Sequence, residues 1–132
     1  MLWPMPGTIV YVWFLGVFRH KGIVTNSWWN GKPTVITNSW ACNGVAEITW
    51  DQFACTQNVF VEGFPSNRPP LEVLYIARSL IGQHYDALFS NCEHFVYKCH
   101  GLEPRSPQLA AAILIAAIAL VSVVTTQSRA LA

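Results

Sequence analysis

The chain has 132 residues, a formal net charge of +1 and an apolar fraction of 52%. That length holds one domain and not comfortably two, and without any run of Lys or Arg the chain carries no electrostatic footprint for nucleic acid. Four cysteines (Cys42, Cys55, Cys92, Cys99) are too few for a disulfide scaffold at this length, so free thiols and a reducing compartment are expected.

The opening "MLWPMPGTIV" lacks a basic n-region, and Pro4 and Pro6 interrupt any apolar helix, so it does not read as a secretory signal. After Pro6-Gly7 the run "TIVYVWF" alternates as a strand. "GIVT" after His20 reads as a second, and "SWWNGKP" turns at Asn30-Gly31. "TVIT" (34–37), "VAEIT" (45–49) and "NVFVEG" (58–63) read as three more strands, and "GFPSNRPP" closes this β half. The period then changes. Pro69 and Pro70 suit a first helical turn; Val73, Leu74, Ala77, Leu80 and Ile81 share one helical face, and Gly82 ends the run. The loop "QHYDALF" leads to "SNCEHFVYKCHG", a short helix capped by Ser90 or Asn91 and stopped by Gly101. The expected fold class is α+β, an antiparallel β-sheet packed against helices.

From Leu109 to Val124 only Ser122 is polar, and Thr125 and Thr126 extend the run. About 18 residues span roughly 27 Å as a helix, close to the ~30 Å of a bilayer's hydrocarbon. Being apolar all round, the segment does not read as a surface amphipathic helix. The competing assignment is a buried helix or an oligomer contact, to which its alanines are suited; the sequence carries no signal for oligomeric state. Arg105 and Arg129 nearly cancel as topology signals. The expected organisation is a domain over 6–101, a linker over 102–108 and a membrane-anchor helix over 109–126, with the domain on the cytosolic side.

Cys92 falls in the first turn of its helix, where free N–H groups and the positive dipole end favour thiolate. Cys99 lies seven residues on, roughly 10 Å along the axis, beyond the ~7 Å Cα separation of a disulfide; it reads as one more buried apolar residue. Cys92, His94, Cys99 and His100 lack paired metal-ligand spacing and diverge around the helix, so no metal and no cofactor is expected. His94 points away from Cys92, and His100 suits the helix end. A thiol nucleophile needs an imidazole and that imidazole an orienting group. His20, at the start of a strand in "RHKGIVTN", is the candidate base, and the loop residue His84 the runner-up.

"NCEHFVYKC", with "PGTIVYVW", "RHKGIVT", "TVITNS…NGVAEITWDQF" and "PPLEVLYIARSLIGQHYDALF" in the same order upstream, resembles the lecithin:retinol acyltransferase-like family, the circularly permuted branch of the papain-like NlpC/P60 superfamily. The likeness runs over residues 6–101. It implies the permuted NlpC/P60 fold and a thiol acyl-transfer enzyme of phospholipase A type. Such an enzyme draws an acyl group from a glycerophospholipid, or another acyl donor, onto the cysteine as a thioester, then passes it to water, an amine or a hydroxyl. By position Cys92 is the nucleophile and His20 the general base. The backbone N–H of Cys92 would help hold the oxyanion, and a C-terminal hydrophobic anchor, recurrent in the family, would place the domain at its bilayer.

Many family members carry a histidine on the next strand; here "TVITNS" offers Thr37 or Asn38, which point to opposite faces. Alignment favours Thr37. The chemistry favours Asn38, whose carbonyl can hold an imidazole Nδ1–H as in Cys-His-Asn proteases. Lys21 and Gly22 depart from the aromatic and small residues often found after this histidine. Trp28, Trp29, Trp40 and Trp50 cluster between early strands, suited to an acyl groove or to a core. Two other functions compete: an NlpC/P60-like cysteine peptidase or amidase on cell-wall peptides, and a non-catalytic membrane-associated interaction protein like the viral H-box/NC proteins.

Overall fold

The computed structural model describes residues 2–103 and 105–131. Strands β1 (Ile9–Phe14), β2 (Phe18–Trp29), β3 (Lys32–Ser39) and β4 (Gly44–Ile48) form an antiparallel meander. A short helix α1 (Trp50–Ala54) follows, and β5 (Phe60–Gly63) returns to pair with β1, giving the sheet order β4-β3-β2-β1-β5. Helices α2 (Pro70–Ser79), α3 (Cys92–Cys99) and α4 (Pro107–Leu131) complete the chain. The expected α+β class with an antiparallel sheet is what the chain adopts. β2 is much longer than "GIVT": at one end it carries His20, paired with Val12 of β1, and at the other it runs to the tight two-residue turn at Asn30 and Gly31, both at positive φ (51° and 74°). α1 was not anticipated. Its sequence signal is Thr49-x-x-Gln52, a reciprocal capping box: Thr49 Oγ1 accepts from Gln52 N–H and Gln52 Oε1 from Thr49 N–H.

Strand alternation sends side chains to two separate cores. Ile9, Ile23, Ile36 and Val45 pack under Val73, Leu74 and Ala77 of α2 and Phe95, Val96 and Cys99 of α3. Val10, Val12, Val24 and Val35 pack against Phe53 of α1 on the opposite face. Gly44 is fixed by close approach: a Cβ there would collide with the Gln83 carbonyl, which accepts from Val45 N–H at 2.9 Å. That contact, with Gly82 N–H donating to Val45 O, ties the loop before α3 to the outer strand.

The 102–108 segment is not a free linker. α4 begins at Pro107, Ser106 and Gln108 are bonded to the domain, and Pro104 lies outside the described residues. The 18-residue anchor expected over 109–126 lies inside α4, which is long and apolar enough to cross a membrane and presents its apolar side chains to the outside.

One buried charge pair links sheet to helix. Lys21 Nζ, 5% exposed, lies 3.1 Å from Glu93 of α3, itself 3% exposed, and 3.0 Å from Glu62 of β5. It also donates to Tyr97 Oη at 3.2 Å. Burial pulls the lysine pKa down, but the hydrogen bonds and charges of Glu62 and Glu93 outweigh it and leave the pKa raised, so Lys21 stays charged at neutral pH. Lys21→Met is expected to lower unfolding free energy by about 3–5 kcal/mol, because Glu93 is left buried and uncompensated. Lys21→Met with Glu93→Gln should recover part of that loss in chemical denaturation, and an additive loss in the double variant would show that the pair is not coupled.

Candidate active site

The site forms where two central strands separate. The β2–β3 ladder runs to Gly22–Thr37 and stops there, so the backbone of Arg19 to Lys21 has no strand neighbour on that side. Side chains take over. Thr37 Oγ1 donates to Lys21 O at 2.7 Å, and Gln108 of α4 accepts from Arg19 N–H at 2.6 Å while donating to Arg19 O at 3.0 Å. Cys92 Sγ lies 4.0 Å from the same Arg19 carbonyl, and the Lys21 N–H faces the sulfur.

Cys92 is the first residue of α3, as expected, with Asn91 as its N-cap. Asn91 Oδ1 accepts from Glu93 and His94 N–H at 3.0 and 3.1 Å, and His94 Nδ1 accepts from Asn91 N–H. His94 is therefore a capping residue. The Cys92 N–H has no acceptor among the described residues. The helix start alone favours thiolate, but burial dominates: it pushes the Cys92 pKa above its ordinary value, reinforced by Glu93, and the Lys21 N–H and charge offset this only in part. Cys92 thus rests as a thiol and needs a base.

His20 occupies the opposite face of β2, its ring 5.6 Å from Phe53. Its Nε2 lies 3.2 Å from Thr37 Oγ1. The threonine has one hydroxyl proton, already given to Lys21 O, so it must accept from Nε2–H. That assigns the tautomer: Nδ1 is left unprotonated and has no hydrogen-bond partner among the described residues. Burial lowers the His20 pKa, which keeps the ring neutral at pH 7 and able to accept a proton. Cys92 and His20 approach the opening in the sheet from its two faces, and no hydrogen bond joins sulfur to imidazole in this unliganded state.

The expected role of Asn38 is corrected. Asn38 points to the α3 face, fully buried, and its Nδ2 donates to Ser90 O at 2.8 Å and to Ser90 Oγ at 3.3 Å. It anchors the turn in front of Cys92 rather than the imidazole; Thr37, the register alternative, holds His20. Asn38 Oδ1 has no partner. His84 is exposed and does not reach the site. His100 is a buried pin: Nε2 donates to Gly7 O at 2.8 Å, and Nδ1 therefore accepts from Ser66 Oγ at 2.7 Å. Cys99 is buried, its pKa pushed up to about 12 by desolvation, and is inert at neutral pH. Among the described residues no group of His, Cys, Asp and Glu is arranged to hold a metal.

A groove of about 500 Å³ opens from His20 on the α1 side, walled by Val12, Trp13, Phe18, Ile48, Phe53 and Trp40. Cys92 is not in its wall; Arg19, His20 and Tyr85 stand at that end. Tyr85 lines the groove, and its pKa is raised by burial and then by the nearby Cys92 charge. Of the tryptophans, Trp13 and Trp40 line the groove, whereas Trp28 and Trp50 pack edge-on around Trp3 at 6.3 and 5.0 Å. Tyr85, Glu93 and Gln108 were not singled out by sequence reasoning, and Lys21 only as a departure from the family pattern. Lys21, Tyr85 and Glu93 lay within the segments that carry the resemblance, and Gln108 outside them.

Scanned against models of known protein families and against curated proteins, the chain matches none.

Thr37→Val should release the tautomer, seen as loss of the Nε2–H signature of His20 in imidazole ¹⁵N shifts, with Thr37→Ser restoring it. Asn38→Ala should leave that signature unchanged and lower stability by about 1–3 kcal/mol, since Ser90 O loses its buried donor. The reverse pattern would return the orienting role to Asn38.

Proposed function

We propose that the chain is a membrane-anchored thiol acyltransferase of phospholipase A type, with Cys92 as nucleophile and His20 as base. The observation that carries this reading is the Thr37-held imidazole, its Nδ1 bare, at the end of an apolar groove and beside the strand segment on which the Cys92 thiol rests. Apo sites often leave the nucleophile–base contact open until substrate is bound. The resemblance of "NCEHF" and the upstream segments to lecithin:retinol acyltransferase-like proteins, and with it the permuted NlpC/P60 fold, supports the same assignment. The groove's predominantly apolar surface suits an acyl chain better than a cell-wall peptide, although Arg19, Ser39, Gln52 and Gln57 also line it.

In this mechanism His20 Nδ1 takes the thiol proton as Sγ attacks the ester carbonyl carbon of the phospholipid. The tetrahedral oxyanion is held by the Cys92 N–H. Collapse breaks the acyl carbon–oxygen bond, and the lysophospholipid leaves with the proton carried by His20. Water, an amine or a hydroxyl then gives a proton to Nδ1, attacks the thioester, and restores the thiol. Because burial lowers the His20 pKa, the base stays competent below pH 6.5, where an ordinary histidine is half protonated. α4 anchors the domain at the bilayer, and four unpaired cysteines suit a reducing, cytosolic side.

Intact mass after brief exposure to a short-chain phosphatidylcholine tests the reading. Exposed Cys42 and Cys55 line the same groove, so the background should be Cys42→Ser with Cys55→Ser. An acyl-sized adduct cleaved by hydroxylamine and lost in Cys92→Ser is expected, forming slowly or not at all in His20→Ala. A Cys92 that takes alkylating reagent yet never an acyl group would overturn the phospholipid assignment. A thiol inert to both would favour a non-catalytic binding role.

A further inference from the structure

Two polar side chains at the start of an otherwise apolar helix are spent on the domain rather than on solvent. Gln108 uses both ends of its amide on one residue, accepting from Arg19 N–H at 2.6 Å and donating to Arg19 O at 3.0 Å, as a neighbouring strand would. Ser106 Oγ donates to Glu93 Oε1 at 2.6 Å, and the Gln108 N–H donates to the same oxygen at 3.2 Å. Ser106 also caps α4, accepting from Leu109 N–H. Both acceptors, the Arg19 carbonyl and the Glu93 carboxylate, are negative groups that border the Cys92 sulfur.

We infer that the first turn of α4 is part of the reactive centre, with Gln108 and Ser106 as positioning residues that hold the Arg19 carbonyl and the Glu93 carboxylate in hydrogen bonds and so make the Cys92 thiolate accessible. The seating of the membrane helix then sets the reactivity of the thiol. An unpartnered carbonyl at 4.0 Å repels a thiolate more strongly than one whose lone pair is shared with an amide N–H. A carboxylate relieved of two donors acts in the same direction. The other charged and titratable groups around the sulfur are His20, Arg19 and Lys21 on β2, with Glu62 behind the lysine, and Tyr85 and Asp86 in the preceding loop. Of these only Arg19 bonds to the clasp, and it does so through its backbone; no charged or titratable side chain among them is held by Gln108 or Ser106.

This inference rests on Cys92 being the nucleophile, and thiol alkylation reads it without any acyl chemistry. The full chain, in detergent micelles and with Cys42→Ser and Cys55→Ser, is titrated with iodoacetamide across pH and labelling of Cys92 is followed by mass. Gln108→Met and Ser106→Ala should each move the labelling profile toward alkaline pH by roughly half a unit to one unit, slowing labelling at neutral pH about three- to tenfold. Ser106→Thr keeps the hydroxyl and should restore the wild-type profile. Gln127→Met, the same exchange near the far end of α4, should leave it unmoved. Superimposed profiles for wild type, Gln108→Met and Ser106→Ala would overturn the inference, as would an equal shift from Gln127→Met. Should Gln108→Met fail to fold, the Ser106→Ala and Ser106→Thr pair decides alone. A shifted profile with no acyl adduct in wild type would keep the clasp and remove the phospholipid reading; an adduct with unshifted profiles would do the reverse.

Discussion

Beyond Gly22 and Thr37 the two central strands separate, and a sheet that opens in its middle must find partners for the backbone groups it strands. Three pieces of chain meet that demand. Thr37 satisfies the Lys21 carbonyl, Gln108 satisfies both backbone groups of Arg19, and the first residue of α3 lies against what remains. The opening is thus both an unpaired edge, which proteins cover, and a place where groups from the two faces of the sheet can meet. Closing the ladder by one more residue pair would cut Cys92 off from the face that carries His20.

The electrostatics of this opening follow from burial more than from the helix dipole. A cysteine at a helix start suggests a preformed thiolate, yet desolvation and the adjoining Glu93 carboxylate prevail over the Lys21 contributions. The same desolvation keeps His20 neutral. Cys92 and His20 therefore both rest uncharged. Lys21 serves this arrangement indirectly. Held between Glu62 and Glu93, it compensates a carboxylate that would otherwise sit unpaired one residue from Cys92.

Much of this was legible in the residues. Alternation located all five strands, Asn30-Gly31 located the central turn, and Asn91 ahead of Cys92 located the start of α3, because each of these signals is local. The Thr37–Asn38 choice was not local. Adjacent strand residues face opposite sides, so the answer depends on which face of β3 meets His20, and that is fixed by pairing Gly22 with Thr37 rather than by the chemistry of either side chain. Preference for the better hydrogen-bonding residue pointed to Asn38, which the register turns toward Ser90 instead. α1 escaped because five residues are too few to show a period, although its capping box was present in the sequence. Gln108 escaped for another reason: before an apolar run a glutamine reads as an ordinary helix start, and its partner is 89 residues away.

The clasp at Arg19 also fixes where the groove lies relative to the apolar helix. Arg19 follows closely on the β1–β2 turn, where Phe14, Leu15 and Val17 are 58%, 76% and 66% exposed. Phe14 and Phe18 belong to the groove wall as well, so the turn is also its rim. Gln108 therefore brings the start of α4 to the same end of the domain as the groove's apolar lip. A bilayer that takes up α4 from its first turn would meet that lip at the level of its headgroups, where aromatic side chains are at home. A single glutamine thus joins the start of the apolar helix to the strand at the groove's rim, parts that the sequence keeps far apart.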